Sequence, residues 1–129
     1  MDYYDITSLV VKFDSLRLLL ALGNALNWEI ELMDIKGSYL NSDLKEEIYM
    51  HQPEGFDDSS GHVLKLWPAL YGLKQAGRAW HQQLQSTLLS FSYTQSMADE
   101  CIYIRINGSH IEIISVHVDD LGLFANSKV

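Results

Sequence analysis

The feature that most constrains the fold of this chain is a pair of β-rich runs, CIYIRINGSHIEIISVHV, joined by Asn107-Gly108. Asn-Gly between alternating apolar residues is the strongest short-range signal for a β-hairpin. A further apolar run, LGLFA, follows after only Asp119 and Asp120. We therefore predict three successive antiparallel strands, with the two aspartates in a tight turn between the second and third strands.

The rest of the chain predicts two helices and three more strands. Leucines at helical spacing follow Asp14, a good N-cap residue, and indicate a helix over 14–26. Apolar residues at four-residue spacing predict a second helix over 76–89. The stretches WEIELMDI, EEIYMHQPEGF and HVLKLW read as strands, with a polar loop at 57–61. At 129 residues and 47% hydrophobic, the chain fits one α+β domain, an antiparallel sheet with helices on one face.

Asp34 ends the strand WEIELMDI, in which apolar and polar residues alternate. It continues the apolar parity, so we expect it on the buried side of the strand, where a carboxylate needs a partner. Neighbouring strand ends can bring Asp34 together with Asp119 and Asp120. Clustered carboxylates stay ionised most easily around a hard divalent cation such as Mg²⁺. On spacing alone, pairs of aspartates at turns are common, and an ordinary solvated turn without an ion is the favoured interpretation.

The charge of the chain argues against unaided binding of nucleic acid. Nine basic residues against 17 acidic ones give a formal net charge of −8, whereas proteins that grip phosphates rely on basic side chains. Either bound divalent cations offset the clustered carboxylates, or the basic surface belongs to a part of the protein outside this chain.

The sequence favours an intracellular protein that does not span a membrane. The longest apolar run, 16–22, contains Arg17 and is much shorter than the roughly 20 residues that a bilayer span needs. The acidic N-terminus lacks the basic and apolar regions of a secretory signal. The lone Cys101 cannot form a disulfide within the chain, and we interpret it as a small buried strand residue in a reducing compartment.

Four stretches of the chain resemble consecutive landmarks of the reverse transcriptase of copia-type retrotransposons: MDIKGSYLNSDLKEEIYMHQPEGF, LWPALYGLKQAGRAW, ADECIYI and SVHVDDLGLFANSK. The resemblance runs from about Tyr4 to the last residue. It implies that residues 1–129 form a truncated, palm-like polymerase domain with part of the fingers. It also implies that Asp34, Asp119 and Asp120 bind two Mg²⁺ ions, or Mn²⁺, for template-directed DNA synthesis.

The same resemblance assigns roles to further residues and partners. The carbonyl of Ile35 would complete a metal shell, Tyr39 would lie beneath the incoming sugar and disfavour a 2′-hydroxyl, and Gln75 would touch the incoming nucleotide. Lys74 and Arg78 would contact phosphate or template, unless they are solvated charges at a helix start. The implied partners are an RNA or DNA template-primer, dNTP and the remainder of the Pol polyprotein, in a cytoplasmic virus-like particle or the nucleus.

Three positions depart from the family pattern. His117 stands where the family has tyrosine before Val-Asp-Asp, which changes the group that would position the primer. An imidazole at that position could also serve as a metal ligand with Asp119, although histidine suits zinc better than magnesium. Gly77 and Leu9 replace prolines, away from the metals.

The resemblance also implies that the basic fingers strands, the later palm motifs, the thumb and ribonuclease H are absent from this chain. We therefore expect the isolated chain to be inactive and to work only within the parent polyprotein. Two alternatives stay open: a non-catalytic remnant or interaction domain, and a metal-dependent phosphoesterase, for which the sequence offers no convincing general base.

Overall fold

The computed structural model describes residues 10–70, 72–73 and 75–127, with the side chains at 43–46 and 68 left aside. The two predicted helices and all six predicted strands are confirmed in position. A two-residue strand and a short 3₁₀ helix add to them. The elements are α1 Phe13–Ala25, β1 Glu29–Asp34, a 3₁₀ helix Ser38–Asn41, β2 Asp43–His51, β3 Val63–Pro68, α2 Ala76–Ser90, β4 Thr94–Gln95, β5 Ile102–Asn107, β6 His110–His117 and β7 Asp120–Ala125.

The strands form two separate sheets. The larger has five antiparallel strands in the order β1-β7-β6-β5-β4, and β2 pairs only with β3 in a two-stranded hairpin. The α+β class and the antiparallel sheet are therefore confirmed. Along the part of the chain that the structure describes, no helix is long and apolar enough to cross a membrane.

Two tight hairpins build the centre of the larger sheet. Asn107 pairs with His110, so the first loop consists of two residues and begins at Gly108, whose φ of 61° lies in the left-handed region. In the second hairpin His117 pairs with Asp120. A two-residue loop has no room for both aspartates together with Val118. The predicted turn is therefore correct for Asp119 alone, and Asp120 is the first residue of β7.

The middle of the five-stranded sheet is buried on both faces, because the consecutive residues 113–116 of β6 are all buried. On one face α1 approaches so closely that a Cβ on Gly23 would lie 2.9 Å from Ile30 Cδ1 and 3.6 Å from the Phe124 ring. Glycine at this position lets α1 approach the sheet without displacing the end of the Ile30 side chain.

The second helix lies against the opposite face. Its Gln85 donates a hydrogen bond to Gln95 of β4, and the amide of Gln95 lies 3.3 Å from the hydroxyl of Tyr103. Tyr103 pairs with Ile114, whereas Phe124 pairs with Ile113. Because successive strand residues point to opposite faces, Tyr103 and Phe124 lie on opposite faces of the sheet. The helices thus cover both faces instead of sharing one, and this cover buries the adjacent Ile113 and Ile114 of β6, whose side chains point to opposite faces.

The start of α1 also differs from the prediction. The N-cap is Lys12, with no side-chain cap, and Asp14 lies in the first turn, where a carboxylate still faces the positive end of the helix dipole. The backbone N–H of Lys12 donates instead to Asp99 Oδ2 at 2.9 Å. A distant loop therefore supplies the capping acceptor, which local sequence cannot reveal.

The strand β1 is exposed along its whole length. It is the edge of the sheet, and Leu32 is 86% exposed. The expectation that Asp34 lies on a buried side is therefore wrong, because α1 reaches Ile30 on that face but leaves Leu32 and Asp34 exposed. Cys101, by contrast, is buried as predicted, and burial raises the pKa of its thiol to about 12.

Candidate functional site

The three aspartates singled out from the sequence come from adjacent backbone positions at one end of the sheet. Asp34, the last residue of β1, pairs directly with Asp120, the first residue of β7. Directly opposed residues in an antiparallel pair have Cα atoms roughly 4.5–5.5 Å apart. Both residues are exposed to solvent, which screens the repulsion that opposed like charges otherwise cause.

Asp119 accepts two hydrogen bonds from the segment that follows β1. Its main-chain carbonyl accepts a hydrogen bond of 2.9 Å from the N–H of Ile35. Its side chain accepts a hydrogen bond at Oδ1 from the hydroxyl of Ser38. The segment after Asp34 thus holds the hairpin turn through both backbone and side chain, so all three aspartates belong to one connected unit.

Val118 gives this turn an uncommon conformation. Its φ of 57° lies in the left-handed region, which a β-branched residue rarely adopts and which costs about 1–3 kcal/mol. The indole N–H of Trp80, a buried residue of α2, donates to the Val118 carbonyl at 2.8 Å. A core contact therefore helps to hold the turn in place. Sequence reasoning identified Trp80 only as an apolar helix residue and missed this role.

A glycine two residues beyond Asp120 is also required by packing. A Cβ on Gly122 would lie 2.6 Å from the Ser115 hydroxyl and 3.2 Å from the Phe124 ring. The first distance is shorter than real Cβ contacts and the second is tighter than most, so β7 approaches its neighbours closely just behind the aspartates. Close packing there gives Asp120 a rigid support.

The chemistry of these side chains suits a hard divalent cation, because such ions take carboxylate oxygens as ligands. Among the residues that the structure describes, no group of three or more His, Cys, Asp or Glu side chains is arranged to hold a metal ion. Asp119 directs one carboxylate oxygen to Ser38. The donor type therefore fits, while the side chains do not form a closed set of ligands.

The other residues in the sequence predictions lie on elements around this unit. Ile35 and Tyr39 are half-buried and pack against the hydrophobic core. Gln75 is the N-cap residue of α2, and its carbonyl accepts a hydrogen bond from the N–H of Ala79 at 3.0 Å. The 3₁₀ helix that carries Tyr39 packs against α2, so the structure brings together the elements that hold Tyr39 and Gln75.

His117 lies at the same sheet end as the aspartates. It is exposed, pairs with Asp120, and forms an isolated bridge with Val10. Its strand position on the same face as Ile113 agrees with the parity read from the sequence.

Two further positions from the sequence predictions lie at the start of α2. Arg78 is exposed in the first turn of α2, and Gly77 beside it is buried. Lys74 and Leu9 lie outside the described residues.

Comparison with known proteins identifies the class of this domain. The family model for reverse transcriptase (RNA-dependent DNA polymerase) matches residues 1–128. The chain belongs to this family, whose members depend in general on divalent metal ions.

Individual relatives show which kind of reverse transcriptase the chain is similar to. The chain is 40% identical over 131 residues to the retrovirus-related Pol polyprotein from transposon TNT 1-94 of Nicotiana tabacum, and 36% identical over 128 residues to that from transposon RE1 of Arabidopsis thaliana. The matches cover 99% and 98% of this chain but only 10% and 9% of those proteins. The transposon Ty1-BL Gag-Pol polyprotein of Saccharomyces cerevisiae is 34% identical over 84% of the chain, which spans 6% of that protein. No solved structure matches significantly.

These matches place the chain as a reverse transcriptase segment of copia-type retrotransposon Pol polyproteins. The resemblance stated from the sequence motifs is therefore confirmed. The chain spans about a tenth of the length of its plant relatives.

Proposed function

We propose that this chain is a polymerase palm with part of the fingers, and that Asp34, Asp119 and Asp120 hold two Mg²⁺ ions for template-directed DNA synthesis. The observation that supports this most is the direct pairing of Asp34 with Asp120. These residues are far apart in the sequence, and opposed carboxylates are unfavourable unless a cation or solvent offsets their charge. Their meeting beside Asp119 is what a shared cation site requires.

The side chains of this unit would act mainly as a scaffold. The carboxylates of Asp34 and Asp120 are exposed, so a substrate phosphate could reach ions held by them. When bound, such ions would supply activation of the primer 3′-hydroxyl and stabilisation of charge on the triphosphate and the departing pyrophosphate. The carbonyl of Ile35 would complete a ligand set.

Two side chains near the 3₁₀ helix and α2 would contact the incoming nucleotide. Tyr39 is half-buried and would present its ring to the sugar, which disfavours a 2′-hydroxyl by steric contact. Gln75 at the start of α2 would contact the nucleotide. His117, exposed beside Asp120, would position the primer in place of the tyrosine usual in the family, with an imidazole that has a shorter reach.

The net charge of −8 indicates that this chain does not grip a template-primer unaided. We propose that the rest of the Pol polyprotein supplies the basic surface, and that the partners are an RNA or DNA template-primer and dNTP. The isolated chain would then be inactive, and the complete enzyme would work inside the cell, in a virus-like particle or the nucleus.

The experiment is primer extension by a chimeric reverse transcriptase, in which residues 1–129 replace the matching segment of the tobacco relative. We expect Asp119→Asn to lower Mg²⁺-dependent extension more than about 100-fold, the upper end of the loss caused by removing an outer-shell partner. The matched control is Asp57→Asn, in the exposed loop between β2 and β3, which we expect to leave extension unchanged.

Retained extension in Asp119→Asn would refute the catalytic assignment. Metal-dependent cleavage of the nucleic acid that Asp119→Asn abolishes, with no nucleotide incorporation by the unmutated chimera, would favour the phosphoesterase alternative. A chimera that folds, binds no metal and incorporates no nucleotide would favour the non-catalytic remnant.

A further inference from the structure

Ser38 is a buried hydroxyl next to the candidate site, and no pattern in the sequence singles it out. It is 0% exposed, lies in the first position of the 3₁₀ helix, and donates a hydrogen bond to Asp119 Oδ1. The two residues are 81 positions apart in the sequence. A fully buried side-chain donor is thus directed at one of the three aspartates.

The backbone places this hydroxyl where it is. Gly37 adopts φ 63° and ψ 37°, a left-handed conformation that glycine accepts without strain. It turns the chain between Ile35, whose N–H holds the Asp119 carbonyl, and Ser38, whose hydroxyl holds the Asp119 carboxylate. Two hydrogen bonds from one short segment therefore fix Asp119 at its backbone and at its side chain.

We propose that Ser38 is a positioning residue for Asp119, which fixes the rotation of its carboxylate before a divalent cation binds. This proposal rests on the function proposed above. A carboxylate in a turn rotates freely unless a partner holds it, and free rotation raises the entropy cost of arranging ligands around an ion. Partners that orient metal ligands are worth about 10–100-fold in metal affinity or activity.

Burial of Ser38 limits what can take the place of its hydroxyl. Because Ser38 is fully buried, water does not replace its hydroxyl in the same position when the hydroxyl is deleted. Ser38→Ala removes one oxygen from a packed site and adds no bulk, so the main effect falls on the orientation of Asp119.

The chain contains a matched control in the same segment. Ser42 is 1% exposed, and its hydroxyl donates to the Tyr39 carbonyl at 2.8 Å. Both are buried hydroxyls at the ends of the same 3₁₀ helix, Ser38 as its first residue and Ser42 as its C-cap, but of the two Ser38 bonds to an aspartate of the site. A purely structural role would make Ser38→Ala and Ser42→Ala behave alike.

The test uses the chimeric reverse transcriptase described above, with three measurements on each variant: the Kd of Mn²⁺ by calorimetry, the Mg²⁺ concentration for half-maximal primer extension, and the melting temperature. For Ser38→Ala we expect Mn²⁺ to bind about 10-fold more weakly and the Mg²⁺ requirement to rise by a similar factor. For Ser42→Ala we expect both values to stay within about 2-fold of the parent, because that hydroxyl bonds only to backbone. Ser38→Thr, which keeps the hydroxyl, should restore Mn²⁺ binding.

Equal metal binding in Ser38→Ala and Ser42→Ala, with extension still lost in Asp119→Asn, would overturn this proposal and leave the polymerase function standing. Retained extension in Asp119→Asn would instead refute the function itself. Ser38→Cys keeps the volume with a much weaker donor. If Ser38→Ala and Ser38→Cys both fail to fold where Ser42→Ala folds, Ser38 serves stability and the proposal is wrong.

Discussion

The five-stranded sheet and the β2–β3 hairpin use apolar side chains in opposite ways. In the sheet Phe124 is 2% exposed and Tyr103 is 0% exposed, whereas in the hairpin Trp67 is 75% exposed. A two-stranded hairpin is marginally stable on its own, and here α2 and the 3₁₀ helix bury it only in part, while the sheet has a helix on each face. The five-stranded sheet therefore carries its own core, whereas the hairpin relies on its surroundings for stability.

The charged side chains of the two regions show the same contrast. In the sheet Glu112 Oε2 accepts hydrogen bonds from the Tyr93 hydroxyl at 2.6 Å and from Arg105 Nε at 2.8 Å. The guanidinium also lies 4.6 Å from the centroid of the Tyr93 ring. In the hairpin Lys65 and Glu47 form an ion pair in solvent. The first is a partly buried network, and the second is a surface pair of little expected value.

The sharpest test of the contrast is truncation of one large aromatic in each region. Phe124→Ala should lower the free energy of unfolding by about 3–5 kcal/mol, because it leaves a cavity in a packed core. Trp67→Ala should change it by less than about 0.5 kcal/mol, as is usual for exposed positions. Urea unfolding of the 129-residue chain measures both. Similar losses in the two variants would show that the hairpin is packed after all.

A smaller effect should separate the two glutamates by pH. The Tyr93 hydroxyl, and then Arg105, lower the pKa of Glu112 below its usual value of 4.5. Its stabilising contribution is therefore complete above about pH 4.5 and disappears as the pH falls through the lowered pKa of the folded state. Glu112→Gln should cost on the order of 1 kcal/mol at pH 7 and reduce the loss of stability on acidification.

The matched variant in the hairpin is Glu47→Gln. Lys65 and Tyr49 lower the pKa of Glu47 as well, but the pair is exposed, and salt screens it. We expect no measurable change in melting temperature at about 150 mM salt, which is near physiological ionic strength. The comparison would be reversed if stability became less dependent on pH in Glu47→Gln but not in Glu112→Gln.

The parts of the fold that local patterns determine were predictable from the sequence. Asn107-Gly108 marks the first hairpin, and the observed α2 extends one residue past the predicted end of that helix at 89. The meeting of Asp34 with Asp120 also followed, because neighbouring strand ends share an edge of the sheet.

The parts that depend on tertiary contacts were not predictable. Exposure of Asp34 follows from the edge position of β1, which alternation does not encode. The left-handed Val118 is held by an indole from α2, and valine gives no local sign of that conformation. The 3₁₀ helix that carries Ser38 lies in a stretch with no clear periodicity, so its hydrogen bond to Asp119 could be found only in three dimensions.

We expect the sheet end with the aspartates, and not the acidic loop of the hairpin, to take a divalent cation. Asp57 and Asp58 of that loop are a competing pair of adjacent carboxylates for the cation. Asp58 accepts hydrogen bonds from Ser60 and Gln52. The most direct measurement is NMR line broadening by substoichiometric Mn²⁺ in the chimeric enzyme, with amide resonances assigned in both regions. We predict that broadening begins at Asp34, Asp119 and Asp120. Broadening that begins at Asp57 and Asp58, with the sheet end unaffected, would contradict the account.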